Sequence, residues 1–139
     1  MRFYVAGHAL IRKEGKYLAI RRSKINDYQP LKWDIPGGIV RPGETLEDAI
    51  YREVTEETAL NIKIRHIVHL YTNRDQIPIR ETFQAVYLTE FLSGEIHLHQ
   101  AEHDIYQWID YDAFSQLDTI AFLNDLIRCY NPRDQRRWP

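Results

Sequence analysis

The stretch Gly37–Leu60, GGIVRPGETLEDAIYREVTEETAL, decides how this chain folds. Pro36-Gly37-Gly38 and Pro42-Gly43 are turn signals that bracket a short extended piece, Ile39 to Arg41. Thr45 then reads as an N-cap, with Glu47 and Asp48 in the first turn, where acids suit the positive end of the helix dipole. No Pro or Gly interrupts Leu46 to Leu60, so the spacing predicts a helix over that range.

One face of this helix carries charge where grease is expected. At about 100° per residue, Leu46, Ala49 and Ile50 mark an apolar stripe that Val54 and Leu60 extend. Glu53 and Glu57 fall near the middle of that stripe, and Glu56 at its edge. Three ionised carboxylates at i, i+3 and i+4 repel one another and lose solvation if partly buried. A hard cation relieves both penalties, because Mg²⁺ takes oxygen ligands and keeps waters that a phosphate can displace. Taken alone, a Glu-rich helix with Asp48–Arg52 and Arg52–Glu56 pairs is an ordinary solvated one. Its combination with the Gly-Gly turn, the spaced Glu44 and the inward acids points instead to a metal and phosphate site.

From Gly38 the stretch runs Gly, five residues, Glu44, seven residues, then Arg52-Glu53-Val54-Thr55-Glu56-Glu57-Thr58-Ala59-Leu60. It resembles the Nudix box, G-x5-E-x7-R-E-U-x-E-E-x-G-U with U aliphatic, which marks Nudix (MutT-like) hydrolases. One defined position departs: the late Gly is Ala59. Either Ala59 keeps the left-handed conformation, at about 1 kcal/mol, or the helix runs on toward Asn61. The resemblance implies an α/β fold, an α/β/α sandwich with a mixed sheet between helices. It also implies Mg²⁺ or Mn²⁺ held by Glu53, Glu56 and Glu57 with the carbonyl of Gly38. One of Glu53, Glu57 and Glu102 would take the proton of the attacking water, while Arg52 orients Glu56.

Composition fits this picture. The 139 residues suit one domain, expected over 1–130, with residues 131–139 as a mobile tail in which Trp138 would seek a partner. A formal net charge of -2 gives no electrostatic case for duplex nucleic acid or an anionic membrane. Cys129 is the only cysteine, which excludes an internal disulfide; late in a helix, it reads as a small buried residue. Neither a bilayer-spanning run nor a signal peptide is visible, so the expected location is cytoplasmic. A homodimer is left open.

Upstream, Phe3–Arg12 and Tyr17–Arg22 read as a hairpin turned at Glu14-Gly15. Arg21 and Arg22 end it, either as a solvated strand end or as a cationic receptor for phosphate. A polar loop, Ser23 to Lys32, delivers Trp33 to the glycines, where it plugs the core or stacks on a base. Downstream, Ile62–Arg74, Ile79–Leu92, Ile96–His99 and Asp104–Ile109 read as strands, Tyr111–Leu117 as a short helix and Thr119–Tyr130 as a longer one. The segment Gln100–Ile109 is similar to an E-H-x-x-Y-x-W element of many Nudix proteins. By that resemblance Glu102 approaches the metals and His103 touches a phosphate, unless His103 is a surface histidine. Tyr106 and Trp108 read as packing.

The resemblance implies hydrolysis of a nucleoside diphosphate linked to another moiety, by attack of water at phosphorus. The short chain leans toward a nucleoside triphosphate, normal or oxidised. ADP-ribose, sugar nucleotides and dinucleoside polyphosphates are the alternatives; the Pro and Tyr that mark two of those classes fall near Asp75 to Pro78, where only Pro78 stands. GDP-mannose mannosyl hydrolases share the later segment but carry an altered box. A catalytically idle nucleotide sensor is the reading from another class.

Overall fold

The computed structural model describes residues 2–76 and 79–134, so the readings placed on Pro78 and on Trp138 lie outside the described residues. Two long strands form first: β1 (Arg2–Lys13) and β2 (Lys16–Arg22). They are joined at Glu14 and Gly15, both at positive φ (51° and 78°), the left-handed pair that a tight two-residue hairpin needs. Short strands β3 (Trp33–Asp34) and β4 (Gly37–Ile39) lead into helix α1 (Leu46–Thr58). The long hairpin β5 (Asn61–Gln76) and β6 (Ile79–Ser93) follows, then β7 (His103–Ile109), a 3₁₀ turn over Tyr111–Gln116, and α2 (Ala121–Cys129).

The sheet is mixed, with its main path ordered β3-β2-β1-β6-β5; β4 pairs with β1, and β7 with β2. β1 runs parallel to β6 from Arg2↔Arg80 to Arg12↔Glu90, while its other pairings are antiparallel. The alternation of β1 builds two cores. Ala9 and Ile11 face α1, together with Leu18, Ile20, Ile50 and Val54. Leu10 faces the other way, into a cluster with Val68, Val86, Phe114, Phe122, Leu123 and Leu126. The result is the expected α/β/α sandwich, with α1 on one face and α2 on the other.

Several sequence expectations change. No strand forms over Ile96–His99: Ile96 and Leu98 pack against the α1-side core, but the backbone there has no ladder partner among the described residues. His97 N–H instead donates to the Thr58 carbonyl at 2.9 Å, satisfying one orphan group at the end of α1. Tyr111–Gln116 is 3₁₀ rather than α-helical. Tyr106 is 45% exposed, so only Trp108 of that pair packs inward. Cys129 is exposed, not buried: it is the last residue of α2, where the helix ends.

Candidate active site

α1 is held firmly at both ends. Thr45 accepts from the Asp48 N–H, and Asp48 accepts from the Thr45 N–H, a reciprocal capping box. At the other end Ala59 keeps the left-handed conformation, at φ 64°. The helix therefore stops at Thr58 rather than running on to Asn61. Ala49, Ile50 and Val54 anchor it on the sheet, and that seating turns Glu53 and Glu57 toward the Gly37-Gly38 strand.

Glu57 is buried, and its Oε1 accepts from the Gly37 N–H at 2.8 Å. Burial pushes its carboxyl well above the usual range; the Gly37 bond opposes this, whereas Glu53, Asp34 and Glu102 add to it. Glu53 lies against Gly38, whose missing side chain makes the room: a Cβ there would sit 2.7 Å from the Glu53 carboxyl carbon. Its carboxyl is also raised by burial, with Arg52 pulling the other way. Arg52 reaches Glu53 at 2.7 Å, grips Glu44 through two bonds of 2.6 and 2.9 Å, and touches Glu56 only at 3.4 Å. It thus holds Glu53 and Glu44 most closely and also reaches Glu56, the partner expected from sequence, at longer range. The same grip, with the Arg41 N–H, lowers the Glu44 carboxyl to about 2.

β7 brings the second half of the site. His103 is buried rather than solvated, with Nδ1 3.5 Å from Glu57 Oε2. Among the described residues neither of its ring nitrogens has a hydrogen-bond partner, and burial lowers its pKa. Donor atoms of Glu57, Glu102 and His103 all lie within 4.8 Å of one another. A cavity of about 400 Å³ opens here, lined by Glu53, Glu57, Glu102 and His103 together with Arg22 and Tyr28. Crowded carboxylates, one of them with its pKa raised by burial, beside an unsatisfied imidazole form a site that a divalent cation fits. Glu53 and Glu57, with Glu102 opposite, would hold it; Glu56, half exposed, stands at the outer edge.

A larger cavity of about 630 Å³ adjoins the first, sharing Arg22, Tyr28 and Gly37 with it. Its walls carry the aromatic side chains Tyr28, Tyr71 and Phe122, and the cations Arg22, Lys32, Arg74 and Arg80 set against Asp34 and Asp75. The Tyr28 ring lies between the Arg22 and Arg80 guanidiniums, at 5.3 and 5.5 Å. Phe122 stacks on His8, whose Nε2 pairs with Gln84 at 2.7 Å.

A family model described as NUDIX domain matches residues 1–128. This chain belongs to the Nudix family. An ADP-ribose pyrophosphatase of Methanocaldococcus jannaschii is 35% identical over 92 residues, which are 66% of this chain and 53% of that protein. A MutT-like protein of Streptomyces ambofaciens is 29% identical over 112 residues, 81% of this chain and 66% of its own length. This chain thus spans between about half and two thirds of those two curated relatives. Among solved structures, a MutT protein from Methanosarcina mazei superposes with a TM-score of 0.82 at 27% identity, covering 91% of each chain.

Within this Nudix domain the two arginines at the end of β2 part company. Alternation sends Arg21 into a two-bond pair with Asp104, both at 3.0 Å, outside the two cavities. Arg22 points the other way, bonded to Asp34 at 3.2 Å and to the Tyr28 carbonyl at 2.6 Å, and lines both cavities. Trp33 is half buried against the α2-side core, where its N–H and carbonyl bridge to Asp118 and Ile120. It lines neither cavity; the aromatic rings that line the larger one are Tyr28, Tyr71 and Phe122. No sequence motif marked those three, nor Asp34, His8 or Arg80. The register of β1, β5 and β6 brings His8, Tyr71 and Arg80 together, and the loop before β3, β3 itself and α2 add Tyr28, Asp34 and Phe122.

Proposed function

We propose that this chain is a metal-dependent pyrophosphohydrolase that cleaves the diphosphate linkage of a nucleotide. The observation that carries the reading is the junction at Gly37. On one side stand Glu53, Glu57, Glu102 and His103; on the other, a cavity whose aromatic and cationic walls suit a base and phosphates. Its volume of about 630 Å³ falls in the range usual for small-ligand sites.

A bound Mg²⁺ or Mn²⁺ would neutralise the diphosphate oxygens and acidify a water. The chain's own residues do the rest. Glu53, set by Arg52, and Glu57, set by the Gly37 N–H, present carboxylates from a rigid helix; Arg22 offers a guanidinium to phosphate between the two cavities. One of the acids Glu53, Glu57 and Glu102 accepts the proton released as water attacks phosphorus. Tyr28, Tyr71 or Phe122 supplies the face for the base.

The substrate reading is a nucleoside triphosphate, normal or oxidised, in keeping with the MutT-like relatives. ADP-ribose is the second reading, favoured by the 35% identity to an ADP-ribose pyrophosphatase. Chromatographic detection of the cleaved nucleotide products, with Mg²⁺ and Mn²⁺, against nucleoside triphosphates, ADP-ribose, sugar nucleotides and dinucleoside polyphosphates separates them. Glu57→Gln is expected to lower turnover by roughly 10²-fold or more. Undiminished turnover in that variant would remove Glu57 from the machinery. Tight nucleotide binding with no turnover in either protein would make the chain a sensor.

A further inference from the structure

On the opposite face of the sheet, away from the carboxylate site, three different donors meet. His69 stands on β5, while Asp125 and Cys129 stand on α2. Their ligand atoms lie within 4.8 Å of one another, and His69 Nε2 is 2.8 Å from Asp125 Oδ2. We propose that His69, Asp125 and Cys129 form a second metal site, for Zn²⁺ or a similar borderline cation, which clamps α2 to β5.

Two local features build it. Strand alternation should place neighbouring residues on opposite faces, yet Val68 and His69 are both buried. The ladder with β6 shifts register between Ile67 and His69, and such a bulge re-aims a side chain. His69 is thereby turned toward α2, onto the side where Val68 joins the core with Leu123 and Leu126. On α2, Asp125 and Cys129 are four residues apart, one turn along the same face. Asp125 has an oxygen for each neighbour: Oδ1 pairs with Arg128, and Oδ2 faces His69.

The donor set decides the metal. Imidazole, carboxylate and thiolate together select zinc-like ions over Mg²⁺, whereas the carboxylates of α1 make the reverse choice. Zn²⁺ bonds of about 2.0–2.3 Å in a tetrahedron place ligand atoms roughly 3.3–3.7 Å apart. The His69–Asp125 pair must open slightly and Cys129 must swing inward, which an exposed side chain can do by rotation. On binding, the ring proton moves from Nε2 to Nδ1, and the thiol proton leaves to solvent; water takes the fourth position. The clamp lies beside the larger cavity, since Tyr71 follows His69 by two residues and Phe122 precedes Asp125 by three, and both line that wall.

Co²⁺ reports the site directly, because a thiolate ligand gives a charge-transfer band in the near ultraviolet. Reduced full-length protein, with excess Mg²⁺ to fill the carboxylate site, would be titrated with Co²⁺ and then with competing Zn²⁺. One equivalent of band is expected, bleached by Zn²⁺, absent in Cys129→Ser and at least tenfold weaker in affinity in Asp125→Asn. Zn²⁺ should also raise the melting temperature of the wild type and leave Cys129→Ser unmoved. Cys129 is exposed, so its serine variant keeps the fold. No band in the wild type, or a band that survives Cys129→Ser, overturns the proposal.

Discussion

Gly38 shows how little a single residue must do to shape a site. Its φ is not in the left-handed region, so the backbone accepts alanine; only the space for Glu53 forbids a side chain. Gly38→Ala should therefore displace the Glu53 carboxylate, now 2.7 Å from the would-be Cβ, without unfolding β4. Weakening of Mn²⁺ affinity by roughly 10–100-fold, the usual effect of disturbing the support of a metal ligand, is the expected result. Isothermal titration reads it, and unchanged affinity would mean that Glu53 can rotate clear. At this scale the sequence was informative where chemistry is tied to spacing. The acids of α1 are readable at i, i+3 and i+4, but the burial of His103 is not, because its neighbours Glu57 on α1 and Arg22 on β2 are distant in sequence.

Among the elements, α1 was legible almost to its ends. Turn residues, an N-cap and a helical period all agree there, and local signals suffice. Ala59 is where they disagree, since it occupies a conformation that suits glycine. Ala59→Gly should stabilise the fold by about 1 kcal/mol, raising the melting temperature by roughly 3 °C. A fall on calorimetry would show that the unfolded-chain entropy of glycine outweighs the relieved strain. The segment 96–99 misled for a physical reason. Alternating Ile96 and Leu98 report one-sided burial, which an irregular chain achieves as well as a strand; only a free sheet edge makes the difference, and β7 takes the edge of β2.

Taken as a whole molecule, the fold buries a carboxyl that its proposed work requires to be charged. Glu57 has its pKa raised by burial, so the folded state holds that proton more tightly than the unfolded chain does. Stability of the metal-free protein should therefore fall as pH rises from the ordinary carboxylate range through the raised value. A divalent ion reverses the balance by favouring the ionised form, and its binding should release protons. Melting curves across pH, with Mg²⁺ and with chelator, should converge at low pH and separate as pH rises. Parallel curves would mean that Glu57 is not coupled to the metal. The sandwich itself was foreseeable from the family pattern, whereas the larger cavity was not, because its walls come from several separate stretches and, apart from Gly37–Ile39 at the start of the box, none carries a motif.

The sharing of Gly37 between the two cavities has a consequence for how such a chain diversifies. The acids come from α1 and the turn that precedes β7, and the aromatic wall from Tyr28, β5 and α2; Arg22 and Tyr28 are the side chains common to both. Mutation can thus explore new leaving groups and new bases along one wall while the hydrolytic equipment stays untouched. An ancestral scaffold arranged this way can change diet without relearning how to cut.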